Sequence, residues 1–377
     1  MDVLINIFIL SIIFSAILTL LVRWLALKFK IMDWPQIAGR KIHKQPVPLL
    51  GGIAVFLTFF IILFAVYFSP YWPGQKFGLF EVLPKGLNLV NLKQLIGLFL
   101  AGLLLMLGGF LDDKYHLKPK QQIVWPILAC LVVIISGVGI GFINNPFGPG
   151  YLHFDNLKFE IFRFHGVPFY FTPWADLFTF IWLMLLMYAT KLLDGLDGLV
   201  SGLTGIGALT IAGLCFLTKF YQPDIGTMAV ILAGTSLGFL IFNFHPAKIF
   251  LGEGGSLFAG FILGSLAIIS GGKVAIALFI LGIAVIDLMA VMVQRIFKHY
   301  SPFLADRNHL HFRLLDLGFS HRQTVIFYWL IAVVLGAAGL FLRTTGKIIA
   351  LIIMVIAVSI LIIILAKRHS SKDEIHK

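Results

Sequence analysis

Between two apolar runs, residues 191–202 read K-L-L-D-G-L-D-G-L-V-S-G. Asp194 and Asp197 stand three apart, so on a helix they share one face. Gly195 and Gly198 leave bare backbone beside each carboxylate, where something bulky and polar can come close. A second acidic pair, Asp112 and Asp113, ends the run L-G-G-F-L-D-D at 107–113. Acids at a helix C-terminus oppose the macrodipole, so local helix stability does not account for them. Adjacent acids can share a metal-bound phosphate, or one can act as base while the other orients it. Lys114, Lys118 and Lys120 follow, and basic side chains near paired acids suit phosphate groups.

Three further segments carry similar chemistry. Glu253 lies between glycines in N-F-H-P-A-K-I-F-L-G-E-G-G-S, which starts at Asn243. Its last residues lead into a helix N-terminus, where free N–H groups favour anions. The stretch D-R-N-H-L-H-F-R at 306–313 brings Arg307, His309, His311 and Arg313 together. Two histidines can ligate zinc, but no cysteine accompanies them, and Arg with His suits a diphosphate or nucleotide better. Residues 33–52, with Arg40, Lys41 and His43, fit a grip on an anionic lipid head, although their charge also serves topology.

These residues need elements to hold them. Of 377 residues, 59% are hydrophobic and 12% charged, and the mean hydropathy is +0.99. That excludes an ordinary soluble domain and implies an all-α integral membrane protein. About eleven spans are expected, near 3–27, 49–68, 94–111, 123–143, 176–192, 199–218, 226–242, 256–270, 273–294, 324–342 and 347–366. The net charge of +12 sits in short loops between apolar runs, which fits juxtamembrane topology signals and not nucleic acid. Cys130 and Cys215 both fall inside apolar runs, so no disulfide framework is expected. The first run lacks a basic leader and reads as an uncleaved anchor.

Sorting the loops by lysine and arginine gives nineteen on one side and nine on the other. The richer side becomes cytoplasmic, with the N-terminus outside and the C-terminus inside. All five acids named above fall on that side, at helix ends. The chain then reads as one polytopic domain with an external loop at 144–175. Alternation there permits a short β-hairpin. A His/Arg loop at 295–323 and a basic tail at 367–377 lie in the cytoplasm.

Taken together, the segments at 40–53, 109–120, 194–199, 242–257 and 306–324 resemble the polyprenyl-phosphate N-acetylhexosamine-1-phosphate transferases, in that family's order. The superfamily includes the MraY and WecA/TagO enzymes, and the number of helices favours the WecA/TagO branch. The resemblance implies transfer of a sugar-1-phosphate, most simply GlcNAc-1-phosphate, from a UDP-sugar to undecaprenyl phosphate. UMP is released, and cell-envelope polysaccharide synthesis begins at the cytoplasmic membrane. It implies Mg²⁺, with Mn²⁺ able to stand in, and leaves a homodimer open. It assigns Asp112, Asp113, Asp194, Asp197 and His309 to catalysis. Lys120, Asn243, Arg307, His311 and Lys41 would bind substrate, and Glu253 with Asp197 would hold the metal.

Three positions depart from the family pattern: Lys191 stands where Asn is usual, Glu253 where Asp is, and Phe312 where a last His is. Lys191 is expected to pair with Glu253 or a phosphate. The competing readings are an MraY-like enzyme, a non-catalytic or altered-specificity homologue, and an ion-coupled transporter. Transporters place their coupling charges near the midplane of broken helices, and here the acids gather at helix ends.

Overall fold

Helix α1 (Asp2–Lys28) shows what a lipid surround selects. Its buried residues Ile7, Ser11, Ser15, Thr19, Val22 and Ala26 form one stripe, mostly small or hydroxyl-bearing. Ile5, Ile9, Ile13, Ile17, Leu20 and Trp24 are exposed. Against apolar lipid, bulky side chains lose nothing by facing outward, and close helix contact is reached with small ones. The partner is α8 (Pro223–Asn243), whose Gly234 and Gly238 lie against Ser11 and Ser15. The Ser15 hydroxyl donates to the Thr235 carbonyl at 2.7 Å.

The computed structural model describes residues 2–35, 45–68, 92–145, 150–164, 167–217, 221–271, 274–297 and 309–375. Within them, ten helices are long and apolar enough to cross a bilayer, so the chain is an all-α multi-pass membrane protein. Besides α1 and α8 these are α2 (Gly51–Phe68), α3 (Leu92–Tyr115), α6 (Pro173–Leu193), α7 (Leu199–Leu217), α9 (Gly252–Ile269), α10 (Val274–Phe297), α12 (His321–Phe341) and α13 (Thr344–Ile375). The short α11 (Leu310–Asp316) precedes α12. Helices α9 and α10 are separate, in line with the two spans expected at 256–270 and 273–294.

The expected fourth span, 123–143, is corrected. A single turn, α4 (Pro119–Gln122), is followed by α5 (Val124–Ile135), only 12 residues long. The apolar run continues, but Gly137 takes a left-handed φ of +89° and ends the helix. Three glycines in 137–141 then favour extended chain, and apolar composition alone could not register that. The outward stripe of α5 is Val124, Leu128, Leu131 and Ile135. One hairpin was expected beyond it and two are present. Strand β3 (Phe142–Asn144) pairs with β4 (Tyr151–His153), and β5 (Phe159–Phe164) pairs with β6 (Val167–Phe171), all antiparallel. The second hairpin sits on the start of α3, where the Lys93 ammonium donates to the Pro168 carbonyl at 3.2 Å and lies over the Phe169 ring.

Helix α9 is the hub, buried almost throughout and packed on α2, α3 and α6. Its opening glycines let backbones touch. A Cβ on Gly109 of α3 would collide with the backbone of Gly254, and one on Gly52 of α2 with that of Gly255. The ends of α3 and α9 are therefore held in register by main chain.

Candidate active site at the helix ends

Asp112 and Asp113 sit in the last turn of α3. Asp113 leaves its own helix and receives the Glu253 N–H at 3.2 Å, at the α9 N-terminus. Helix α9 has no side-chain cap of its own, so a carboxylate from α3 serves its free N–H groups. Asp112 turns the other way and accepts from the Leu117 N–H at 2.8 Å and from the Gln122 amide at 2.9 Å. Adjacent residues on a helix diverge by about 100°, and here the divergence gives two different anchors.

The loop between α6 and α7 supplies the central acids. Asp194 ends α6, and Gly198 adopts φ +82°, which turns the chain into α7. Asn243, at the end of α8, secures that loop. Its amide oxygen accepts from the Gly198 N–H at 3.1 Å and the Ser201 hydroxyl at 2.7 Å, and its NH₂ donates to the Ile249 carbonyl at 3.0 Å. Both sides of the Asp197 residue are gripped by histidine. Its carboxylate meets His245 Nδ1 at 2.7 Å and the Ala247 N–H at 3.1 Å, and its own N–H donates to His321 Nε2 at 2.7 Å. Arg322 in turn donates to the His245 carbonyl at 2.9 Å.

These ends enclose a cavity of about 540 Å³, lined by Asp112, Asp113, Asp194, Asp197, Glu253 and Lys191, and also by Asn243, His245 and His321. Lys191 forms an ion pair with Glu253. Strands β1 (Met32–Asp33) and β2 (Val47–Pro48) close one edge, joined to the α8–α9 loop by the Phe250 N–H donating to the Pro48 carbonyl at 2.8 Å. Arg23, charged but within α1, is accounted for nearby: it donates to the Lys248 carbonyl at 3.1 Å.

The structure gathers some predicted residues and separates others. The four aspartates, Glu253 and Asn243 line the cavity. Lys120 is exposed on α4 and is not among the lining residues. Lys41 and Arg307 lie outside the described residues. His309 is buried beneath the site, its Nδ1 2.9 Å from Asp287 Oδ2, while the Leu310 N–H donates to the other oxygen of Asp287 at 3.0 Å. His311 is fully buried, its ring parallel to that of His309 with centres 5.9 Å apart. A Cβ on Gly195 would stand 2.6 Å from His311 Nε2, so this imidazole underlies the central loop. Burial, with His309 and His321 adding, lowers its pKa to about 3, and it is neutral at ordinary pH.

Sequence reasoning left His245 and His321 unassigned and missed Gln122 and Asp287. For Asp287 the available signal was a carboxylate within an otherwise apolar span. For His321 it was the helix start S-H-R-Q, a capping box in which Ser320 accepts from the Gln323 N–H.

Asp197, His245 and His321 bring ligand atoms within 4.8 Å of one another, as a metal site would. Yet the His321 Nε2 lone pair accepts the Asp197 N–H, and the two imidazoles stack at 4.0 Å and 16°. Stacked rings cannot both aim their lone pairs at one ion, so the trio works as a clamp on Asp197. The carboxylates fit a hard divalent cation better. Six of them, Asp33 included, share one cavity with one lysine, and Asp194 accepts no hydrogen bond from the described residues. Burial, together with Glu253 and Asp197, raises the Asp194 carboxyl to about 8. Carboxylate oxygens gathered this closely are donors of the kind that Mg²⁺ or Mn²⁺ would take, and Asp194, Asp197 and Glu253 would be the residues to hold it.

Known proteins bear on this arrangement. Residues 95–271 match the sequence profile of glycosyl transferase family 4. The chain is 28% identical over 358 residues to a protein of Bacillus subtilis named probable undecaprenyl-phosphate N-acetylglucosaminyl 1-phosphate transferase, covering 93% of this chain and 88% of that one. It is 30% identical over 349 residues to the decaprenyl-phosphate N-acetylglucosaminephosphotransferase of Mycobacterium tuberculosis, covering 84% and 78%. The phospho-N-acetylmuramoyl-pentapeptide-transferase of Bacillus subtilis is 28% identical over 350 residues, covering 89% and 95%. With such identity along most of its length, and the matching segments assembled around one acidic cavity, the chain belongs to glycosyl transferase family 4, the polyprenyl-phosphate N-acetylhexosamine-1-phosphate transferases.

Proposed function

We propose that this protein transfers N-acetylglucosamine-1-phosphate from its UDP-sugar to undecaprenyl phosphate, releasing UMP and starting an envelope polysaccharide. The cavity carries the reading: six carboxylates and a lysine, all but Asp33 at the ends of membrane helices, where a water-soluble nucleotide and a lipid phosphate can meet. The names of its relatives in Bacillus and Mycobacterium favour GlcNAc as the first sugar to test.

In the proposed reaction an oxygen of the lipid phosphate bonds to the β-phosphorus of the donor. The bond from that phosphorus to the bridging oxygen breaks, and the electron pair leaves with UMP. A phosphate monoester is mostly dianionic near pH 7, so the attacking oxygen needs alignment more than deprotonation. Mg²⁺, when bound, would neutralise charge on the donor diphosphate and the departing UMP. The chain's own contribution is placement. Asp113 is fixed against the α9 N-terminus, Asp197 is clamped by His245 and His321, and Asn243 holds the two loops together. Loop charge supports an orientation with this cavity on the cytoplasmic side, where UDP-sugars are made.

Purified protein with undecaprenyl phosphate and a panel of UDP-sugars should release UMP from UDP-GlcNAc in a Mg²⁺-dependent manner. Asp113→Asn and Asp197→Asn should each lower the rate by about 100-fold or more. No UMP from any donor would sink the proposal.

A further inference from the structure

Lys191 is the one lysine or arginine among the described residues lining the cavity. It reaches inward from the last turn of α6, its ammonium 5.6 Å from the centre of the Tyr188 ring. There it donates to Gln122 Oε1 at 3.0 Å and forms the ion pair with Glu253. Neither side chain is more than 18% exposed. The same Gln122 donates to Asp112, so one chain of contacts runs from Asp112 through Gln122 and Lys191 to Glu253. A univalent cation thus already sits on a carboxylate that the reading above gives to a divalent one. An ammonium has no lone pair with which to ligate a metal, and two cations on one shielded carboxylate repel strongly.

We propose that Lys191 is the built-in counter-ion of Glu253, and that a divalent cation enters this end of the cavity by displacing it. Metal uptake and release of the lysine are then one exchange. The long flexible stem of lysine permits the ammonium to swing, and Gln122 offers it a resting partner away from the metal. The inference rests on the divalent-cation part of the proposed function, but not on the identity of donor or acceptor.

The test is Mn²⁺ binding to the full-length protein in detergent, read from the electron paramagnetic resonance signal of free Mn²⁺ with no substrate present. Lys191→Met keeps the stem and removes the charge, and it should tighten Mn²⁺ binding by about tenfold or more. Lys191→Gln serves the same purpose should the methionine variant fail to fold. In a Glu253→Gln background the same change should alter the affinity by less than about threefold, because the shared carboxylate is gone. Binding within twofold of the parent, or a gain of equal size in both backgrounds, overturns the exchange. A chain that proved inactive on every donor would still give this reading, so failure of the inference and failure of the proposed reaction are told apart.

Discussion

His311 combines full burial with two ring nitrogens that find no hydrogen-bond partner among the described residues. Its folded pKa of about 3 lies below the 6.5 of a free histidine, so between those values the unfolded chain binds a proton that the folded chain refuses. Its contribution to stability is therefore complete above pH 6.5 and is lost as pH falls toward 3, at up to about 1.4 kcal/mol per pH unit. His311→Phe should flatten the fall in thermal midpoint between pH 7 and pH 5, and identical slopes would refute the assignment. At this scale the sequence was readable where polar groups interrupt apolar runs, as Asp112, Asp194 and Glu253 do at helix ends. It was opaque where the partner is remote. Nothing in 306–313 tells that the Nδ1 of His309 meets Asp287, 22 residues earlier on another helix. Nor does anything near Asp197 announce His321, 124 residues later.

Between helices, the geometry of the site depends on how closely α3 and α9 approach. Asp113 and Glu253 ride on the two partners, and Gly109 against Gly254 sets their separation. Gly109→Val would push main chain against main chain, costing about 1–3 kcal/mol as overpacking. It would also displace Asp113 from the α9 N-terminus, and a shift near 1 Å can cost about 100-fold in rate. Both effects should be visible, one as a lowered thermal midpoint and the other in UMP release. Leu107→Val, on an exposed position of the same helix, should leave both nearly unchanged. Most helices were legible because a span of about 20 apolar residues has few other uses. The short α5 was not legible, because glycines stopped the helix without lowering hydropathy.

Across the whole molecule, the acidic cavity lies at the end of α3 near Asp112, while the second hairpin lies at its start near Lys93. Nineteen residues of helix separate these points by roughly 28 Å, close to the thickness of a bilayer core. The two native cysteines are fully buried, so an introduced one can be read against a quiet background. Lys158→Cys on the hairpin should react with a membrane-impermeant maleimide in intact cells. Lys118→Cys, at the cavity end, should react only after permeabilisation, and the reverse pattern would invert the proposed orientation. One consequence concerns the lipid itself. The outward stripe of α5 runs from Val124 to Ile135 and is about 17 Å tall, little more than half of an ordinary hydrocarbon core. Gln122, which binds Asp112, sits immediately before it. Hydrophobic mismatch along this flank would draw the two leaflets together and bring lipid headgroups deeper in the protein wall beside the acidic cavity. Vesicles of graded acyl length should therefore support faster transfer when the chains are short, and a rate independent of bilayer thickness would show that the thin flank has no part in receiving the acceptor.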